Sequence, residues 1–132
     1  MSSDAGMLSF PQKASLSRTQ RSWLDLAVKI AETSEGEHKH GAVIVKGGRV
    51  KGVGVNKWRN RDVRIVPDEE YNPHVTVHAE IMALSRAGEV HGATVYVARV
   101  AKNGEERYSR PCERCEKELL RSGVKRVIYT LS

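Results

Sequence analysis

Four residues in this chain are spaced for chemistry. They are His78 and Glu80 in the string His78-Ala79-Glu80, and Cys112 and Cys115 in Pro111-Cys112-Glu113-Arg114-Cys115. One imidazole and two thiolates are ligands that zinc prefers. Three protein ligands leave the fourth tetrahedral position to water, the mark of a catalytic zinc rather than a closed structural one. Glu80 is then a spare carboxylate beside the metal, suited to carrying protons. The two cysteines are the only ones in the chain, and a C-x-x-C can also serve as a redox disulfide. A redox motif normally follows the first strand of a thioredoxin-like unit. Here it comes late, and that reading leaves His78 and Glu80 without a role. Zn2+ ligation by His78, Cys112 and Cys115 is therefore preferred.

These residues must be positioned by the elements around them. Residues 1–16 read as a loose tail in which Leu8 and Phe10 could pack on the body, and residues 17–132 as one domain. Ser17 followed by Gln20 has the form of a capping box, opening a helix to about Ser34 with a broad apolar face. Gly41–Lys46 reads as a strand, Gly47-Gly48 as a hairpin turn and Arg49–Val55 as the return strand. Residues 56–76 show no periodicity and read as a long loop. A helix is expected over His78–Ala87, closed by Gly88, then a strand over Ala93–Ala101. Asn103-Gly104 suggests a turn that extends this strand into a short hairpin arm. Pro111 suits a helix start and opens a helix over Cys112–Ser122, capped by Gly123. Val124–Thr130 is the last strand. The order predicts an α/β fold of three layers, a central mixed sheet of about four strands (one hairpin plus parallel strands) with helices on both faces.

Placement and chemistry agree at the two motifs. Cysteines three apart on a first helical turn put both sulfurs on one side, and a helix N-terminus favours thiolate. His78 and Glu80, two apart, do not share a helix face, so both reach a metal only if it sits beyond the helix end. The Glu80-to-Pro111 interval suffices for the rest of a helix, a strand and a return loop.

At 132 residues, 39% hydrophobic and 29% charged, the composition is that of a soluble globular domain. No apolar run approaches a membrane span or a signal peptide, so no membrane partner is expected and a cytoplasmic location is the default. The net charge of +6 reads either as a solvated basic surface or as attraction for an anionic substrate, a nucleotide phosphate or a polynucleotide backbone.

The pair H-A-E and P-C-E-R-C resembles the signature of the zinc-dependent cytidine and deoxycytidylate deaminase superfamily. The resemblance extends over about residues 18–130, including Gly41-Ala42-Val43-Ile44-Val45 and the ending Gly123-Val124-Lys125-Arg126-Val127-Ile128-Tyr129. It implies two helix N-termini converging on one zinc. It also implies hydrolytic deamination, the metal supplying an activated water that attacks C4 of cytosine or C6 of adenine. Glu80 would pass that water's proton to the ring nitrogen and then to departing ammonia. The family pattern further implies Asn56 as a substrate contact, with strand termination as the alternative, and the Ala79 N–H facing the base carbonyl. Trp58, Arg59 and Arg61, in the basic cluster Lys57–Arg64, could stack a base and hold phosphate, or pack and be solvated. Arg110, with His74 and Tyr108, flanks the motifs and could line the pocket, while His38, His40 and His91 read as surface or turn residues.

The residues depart from subfamily patterns. His78 stands where free-cytidine deaminases usually have cysteine. Lys57-Trp58-Arg59 replaces the Gly-x-Pro of deoxycytidylate deaminases, and Arg114 replaces the methionine of tRNA adenosine deaminases. The leading expectation is a small-molecule nucleotide substrate of the dCMP class, with cytosine or adenine in single-stranded nucleic acid as the alternative. A non-catalytic binding module that keeps the fold is a third reading, against which the spare Glu80 argues. Many relatives carry a further strand and helix, so Val124–Thr130 is expected to be an edge, open or covered by the tail or a partner chain. A homo-oligomer is in keeping with the family.

Overall fold

The computed structural model describes residues 10, 16–35, 38–56 and 78–131. Helix α1 (Arg18–Glu32) starts as its capping box requires: the Gln20 N–H donates to the Ser17 hydroxyl at 3.1 Å, and the Ser17 N–H donates to Gln20 Oε1 at 2.9 Å. Strands β1 (Lys39–Lys46) and β2 (Arg49–Val55) form the expected hairpin, turned at Gly47 and Gly48, both at positive φ. Helix α2 (Ala79–Ala87) follows, then β3 (Thr94–Val100), the short β4 (Glu106–Arg107), helix α3 (Glu113–Arg121) and β5 (Arg126–Tyr129).

The sheet runs β2-β1-β3, with β5 and β4 sharing the far edge of β3. β5 pairs with Thr94–Val97, and β4 pairs with Arg99 and Val100 as the predicted hairpin arm. The expectation of about four strands, including parallel neighbours, is corrected here. Five strands form among the described residues, and the sheet is antiparallel apart from the single parallel pair β3–β5. The reason is that β1 inserts between β2 and β3, so the crossover through α2 joins strands that are not neighbours.

Helices cover both faces, as the α/β reading requires. On one face α1 packs Leu24, Ala27 and Ala31 against Val43, Val45, Tyr96, Ala98 and Val100. On the other, Ala79, Ala83 and Ala87 of α2 and Leu119 of α3 pack on Ala42, Ile44, Val95, Val97 and Val127. The depth at which α2 sits is set by glycine. A Cβ at Gly54 would lie 2.2 Å from the Ala79 carbonyl oxygen and 2.6 Å from the Ala83 nitrogen, so the helix backbone rests directly on β2. That contact fixes where α2 begins, and His78 with it. At β5, Phe10 meets Tyr129 edge-on, with centroids 6.1 Å apart.

Candidate active site

The site forms where α2 and α3 begin. His78 is the N-cap of α2, yet its side chain makes no capping hydrogen bond. A serine or aspartate there would fold back onto the helix. His78 instead turns outward, with Nδ1 3.2 Å from Cys115 Sγ and 3.7 Å from Cys112 Sγ. Cys112 is the N-cap of α3, its sulfur accepting from the Cys115 N–H at 3.5 Å. Pro111 therefore stands one residue outside the cap rather than at the first helical position predicted for it.

The three ligand atoms all lie within 4.8 Å of one another. Zinc–nitrogen and zinc–sulfur bonds at a tetrahedral angle place N and S about 3.6 Å apart. The observed separations bracket that value, and the donor set is the imidazole-and-thiolate set zinc favours, so the cluster fits Zn2+.

Two helix N-termini present their positive ends to this cluster. The Cys115 hydrogen bond and the neighbouring His78 hold the Cys112 thiol far below the ordinary thiol range, at about 3. The hydrogen bond to Cys112 and burial push Cys115 the other way, because the pair shares a proton. Metal binding displaces that proton. Glu80, in the first turn of α2, is buried at 5% exposure. Burial raises its pKa above the usual carboxylate range, against the opposing pull of its own backbone N–H and of His78. A raised pKa suits a carboxyl that must both take up and release a proton.

The segment leading into Cys112 is held by buried hydroxyls. Where the edge of β3 passes from β5 to β4, backbone pairing is interrupted and two side chains fill the gap. The Arg99 N–H donates to Thr130 Oγ1 at 3.1 Å, and the Thr130 hydroxyl donates to the Arg107 carbonyl at 2.6 Å. The Thr130 N–H donates to Ser109 Oγ at 2.9 Å, and the Ser109 hydroxyl reaches the Val97 carbonyl at 2.9 Å. Ser109 and Thr130 are both buried. This splice fixes the chain three residues before Cys112. Sequence reasoning missed it because it joins residues far apart in the chain.

Other predicted contacts fare differently. Asn56 sits at the end of β2, where Oδ1 accepts from the His40 N–H at 2.9 Å and Nδ2 donates to the His38 carbonyl at 2.6 Å. Its amide thus clips the start of β1, the strand-terminating alternative. Ala79 is the first residue of α2, at the site. Arg110 is engaged by the protein: its guanidinium lies 4.2 Å over the Phe10 ring and 3.4 Å from Glu116. Tyr108 is 52% exposed and meets Tyr129 edge-on. Trp58, Arg59, Arg61, the rest of the Lys57–Arg64 cluster and His74 lie outside the described residues. His40, read as a surface or turn residue, is instead partly buried within β1, and burial together with Arg99, His78 and His38 lowers its pKa to about 4. Its alternation with Ala42 and Ile44 was the signal that could have found it.

Known proteins agree with this site. The model of the cytidine and deoxycytidylate deaminase zinc-binding region matches residues 17–131. A riboflavin biosynthesis protein RibD from Aquifex aeolicus (strain VF5) is 30% identical over 119 residues, 82% of this chain; the chain spans 26% of that relative's length. The dCMP deaminase of cyanophage S-TIM5, solved in complex with dCMP and dUMP, superposes with a TM-score of 0.61 at 24% identity, over 83% of this chain and 78% of that one. Guanine deaminase from Bacillus subtilis gives 0.55 at 22% identity, over 88% and 65%. At such identities the structural likeness speaks for the fold, and the family match carries the chemistry. With a His–Cys–Cys cluster that fits zinc and a buried carboxylate beside it, the chain belongs to the cytidine and deoxycytidylate deaminase family and is a zinc-dependent deaminase.

Proposed function

We propose that the protein hydrolyses the exocyclic amino group of cytosine in a free nucleotide of the dCMP class, consuming water and releasing ammonia and the uracil nucleotide. The observation that carries the reaction is the buried Glu80 at the convergence of two helix N-termini, beside His78, Cys112 and Cys115. Zinc held by His78, Cys112 and Cys115 would lower the pKa of a water to about 7. Glu80 would carry two protons in turn, one from the attacking water to ring N3 and the other from the hydroxyl then on C4 to the amino group, which leaves as ammonia. The Ala79 N–H, at the positive end of α2, donates to the base carbonyl.

A phosphorylated substrate is supported by the net charge of +6. It is also supported by the likeness to an enzyme solved with dCMP and dUMP. In this reading Arg59 and Arg61 take phosphate and Trp58 stacks on the base. Asn56 uses the N–H and lone pair that its backbone clip leaves over. Arg110 reaches substrate by exchanging Glu116 or Phe10.

One observation favours a second reading, deamination within single-stranded nucleic acid. The run Lys57-Trp58-Arg59-Asn60-Arg61 interleaves an aromatic with cations, as strand-binding grooves do. Mass spectrometry after incubating zinc-loaded protein with dCMP, cytidine and a cytosine-containing DNA oligonucleotide separates the two. Conversion of dCMP ahead of the others is expected, and conversion of the oligonucleotide alone would overturn the nucleotide reading.

A further inference from the structure

The sheet face beneath α2 and α3 is apolar until it passes the start of α2, where it turns polar. Gly54, directly under Ala79, pairs with Ala42, so α2 begins level with Ala42. Along β1, Ala42 and Ile44 face α2 and α3, and two residues earlier the same face carries His40. Across the strand, His40 pairs with Arg99 of β3, and Arg99 continues the face that holds Val95 and Val97. This pair therefore lies on the active-site side of the sheet, just past the helix end that carries His78 and Glu80.

The pair is close to the site electrostatically as well as by register, since His78 and Arg99 both disfavour protonation of His40. His40 stays neutral at neutral pH, which leaves Arg99 as the fixed cation of the pair. Arg99 is also aimed. Its Nη2 lies 3.0 Å from His38 Nδ1, and its backbone N–H is fixed by Thr130. Among the described residues no carboxylate is paired with its guanidinium, whereas Arg110 is paired with Glu116. A planar guanidinium held in place by an imidazole suits a phosphate oxygen pair.

We propose that Arg99, oriented by His38, binds the phosphate of the substrate at the mouth of the active site and so sets the preference for a nucleotide over its nucleoside. The inference rests on the nucleotide reading. Arg99 is a substrate-binding residue in this account, and His38 a positioning residue that acts through it.

The test is the ratio of kcat/KM for dCMP to that for deoxycytidine, measured at low salt for the wild type, Arg99→Gln, Arg99→Lys and His38→Gln, each checked for zinc content and melting temperature. Loss of a charge-assisted phosphate contact is expected to lower the ratio about 10- to 100-fold in Arg99→Gln. Intermediate losses are expected for Arg99→Lys, which keeps the charge without the fork, and for His38→Gln. A merely structural role lowers both substrates in proportion and leaves the ratio unchanged, which would overturn the inference alone. If Arg99→Gln does not fold, the Arg99→Lys ratio decides in the same way. Wild-type protein that converts deoxycytidine or an oligonucleotide but not dCMP overturns the nucleotide reading and this inference with it. Loss of oligonucleotide turnover with the dCMP preference intact assigns Arg99 to a phosphodiester and also overturns it.

Discussion

Cys112, Cys115 and His78 each come from a helix cap or first turn, where a side chain has few ways to point. Removing one leaves two ligands and an open cluster. Cys112→Ala is expected to lose both stoichiometric zinc and thermal stability, and full zinc occupancy by metal analysis with an unchanged melting temperature would refute its role. His40 supplies a pH prediction. Its folded pKa of about 4 lies below the ordinary imidazole value because of burial, then Arg99, His78 and His38. The unfolded chain thus binds more protons between about pH 6.5 and 4, and stability falls as the pH drops through that window. The contribution is up to about 3 kcal/mol. In denaturant titrations, the stability difference between wild type and His40→Gln should shrink as pH falls from 7 to 4. A difference that stays constant across that range would show that His40 does not titrate as assigned.

At the scale of elements, what was legible in the sequence was local. The capping box at Ser17, the Gly47-Gly48 turn and the Asn103-Gly104 arm are set by residues within a few positions of one another, and each forms as read. So do the two motif-bearing helices, apart from the one-residue offset at Pro111. What could not be read depends on contacts between distant segments. Gly41 looked like the start of a strand, and beginning there left His40 outside it. In fact β1 starts at Lys39, and Gly41 is small because α1 rests on it, a Cβ there lying 2.5 Å from the Ala31 nitrogen. The division of the β3 edge between β5 and β4, and the Ser109–Thr130 splice that fills the gap, likewise have no local signature.

Two predictions belong to these contacts. Gly54→Ala should lift α2 and cost at least about 1–3 kcal/mol. Zinc affinity should fall with it, because His78 moves with the helix, and calorimetry with metal competition would expose an unaffected site. Thr130→Val strands the Arg107 carbonyl and the Arg99 N–H, at a cost of about 1–3 kcal/mol. Thr130→Ser restores the hydroxyl and should recover most of the loss. A serine variant as unstable as the valine variant would argue that packing, not hydrogen bonding, sets the splice.

For the molecule as a whole, the zinc cluster ties α2 to α3 across the same sheet face, so metal and fold are coupled. With free metal a thousandfold above its Kd, binding adds about 4 kcal/mol. Chelation should therefore lower the melting temperature by roughly 10 °C or more, and a melt unaffected by chelator would mean that the cluster does not hold the fold. The measurement that tests the central claim most directly compares wild type with Glu80→Gln for zinc content and for ammonia release from dCMP. The account predicts one zinc per chain in both proteins and a rate about 10²- to 10⁴-fold lower in the variant, the worth of a positioned proton carrier. Equal rates at equal zinc content would contradict it.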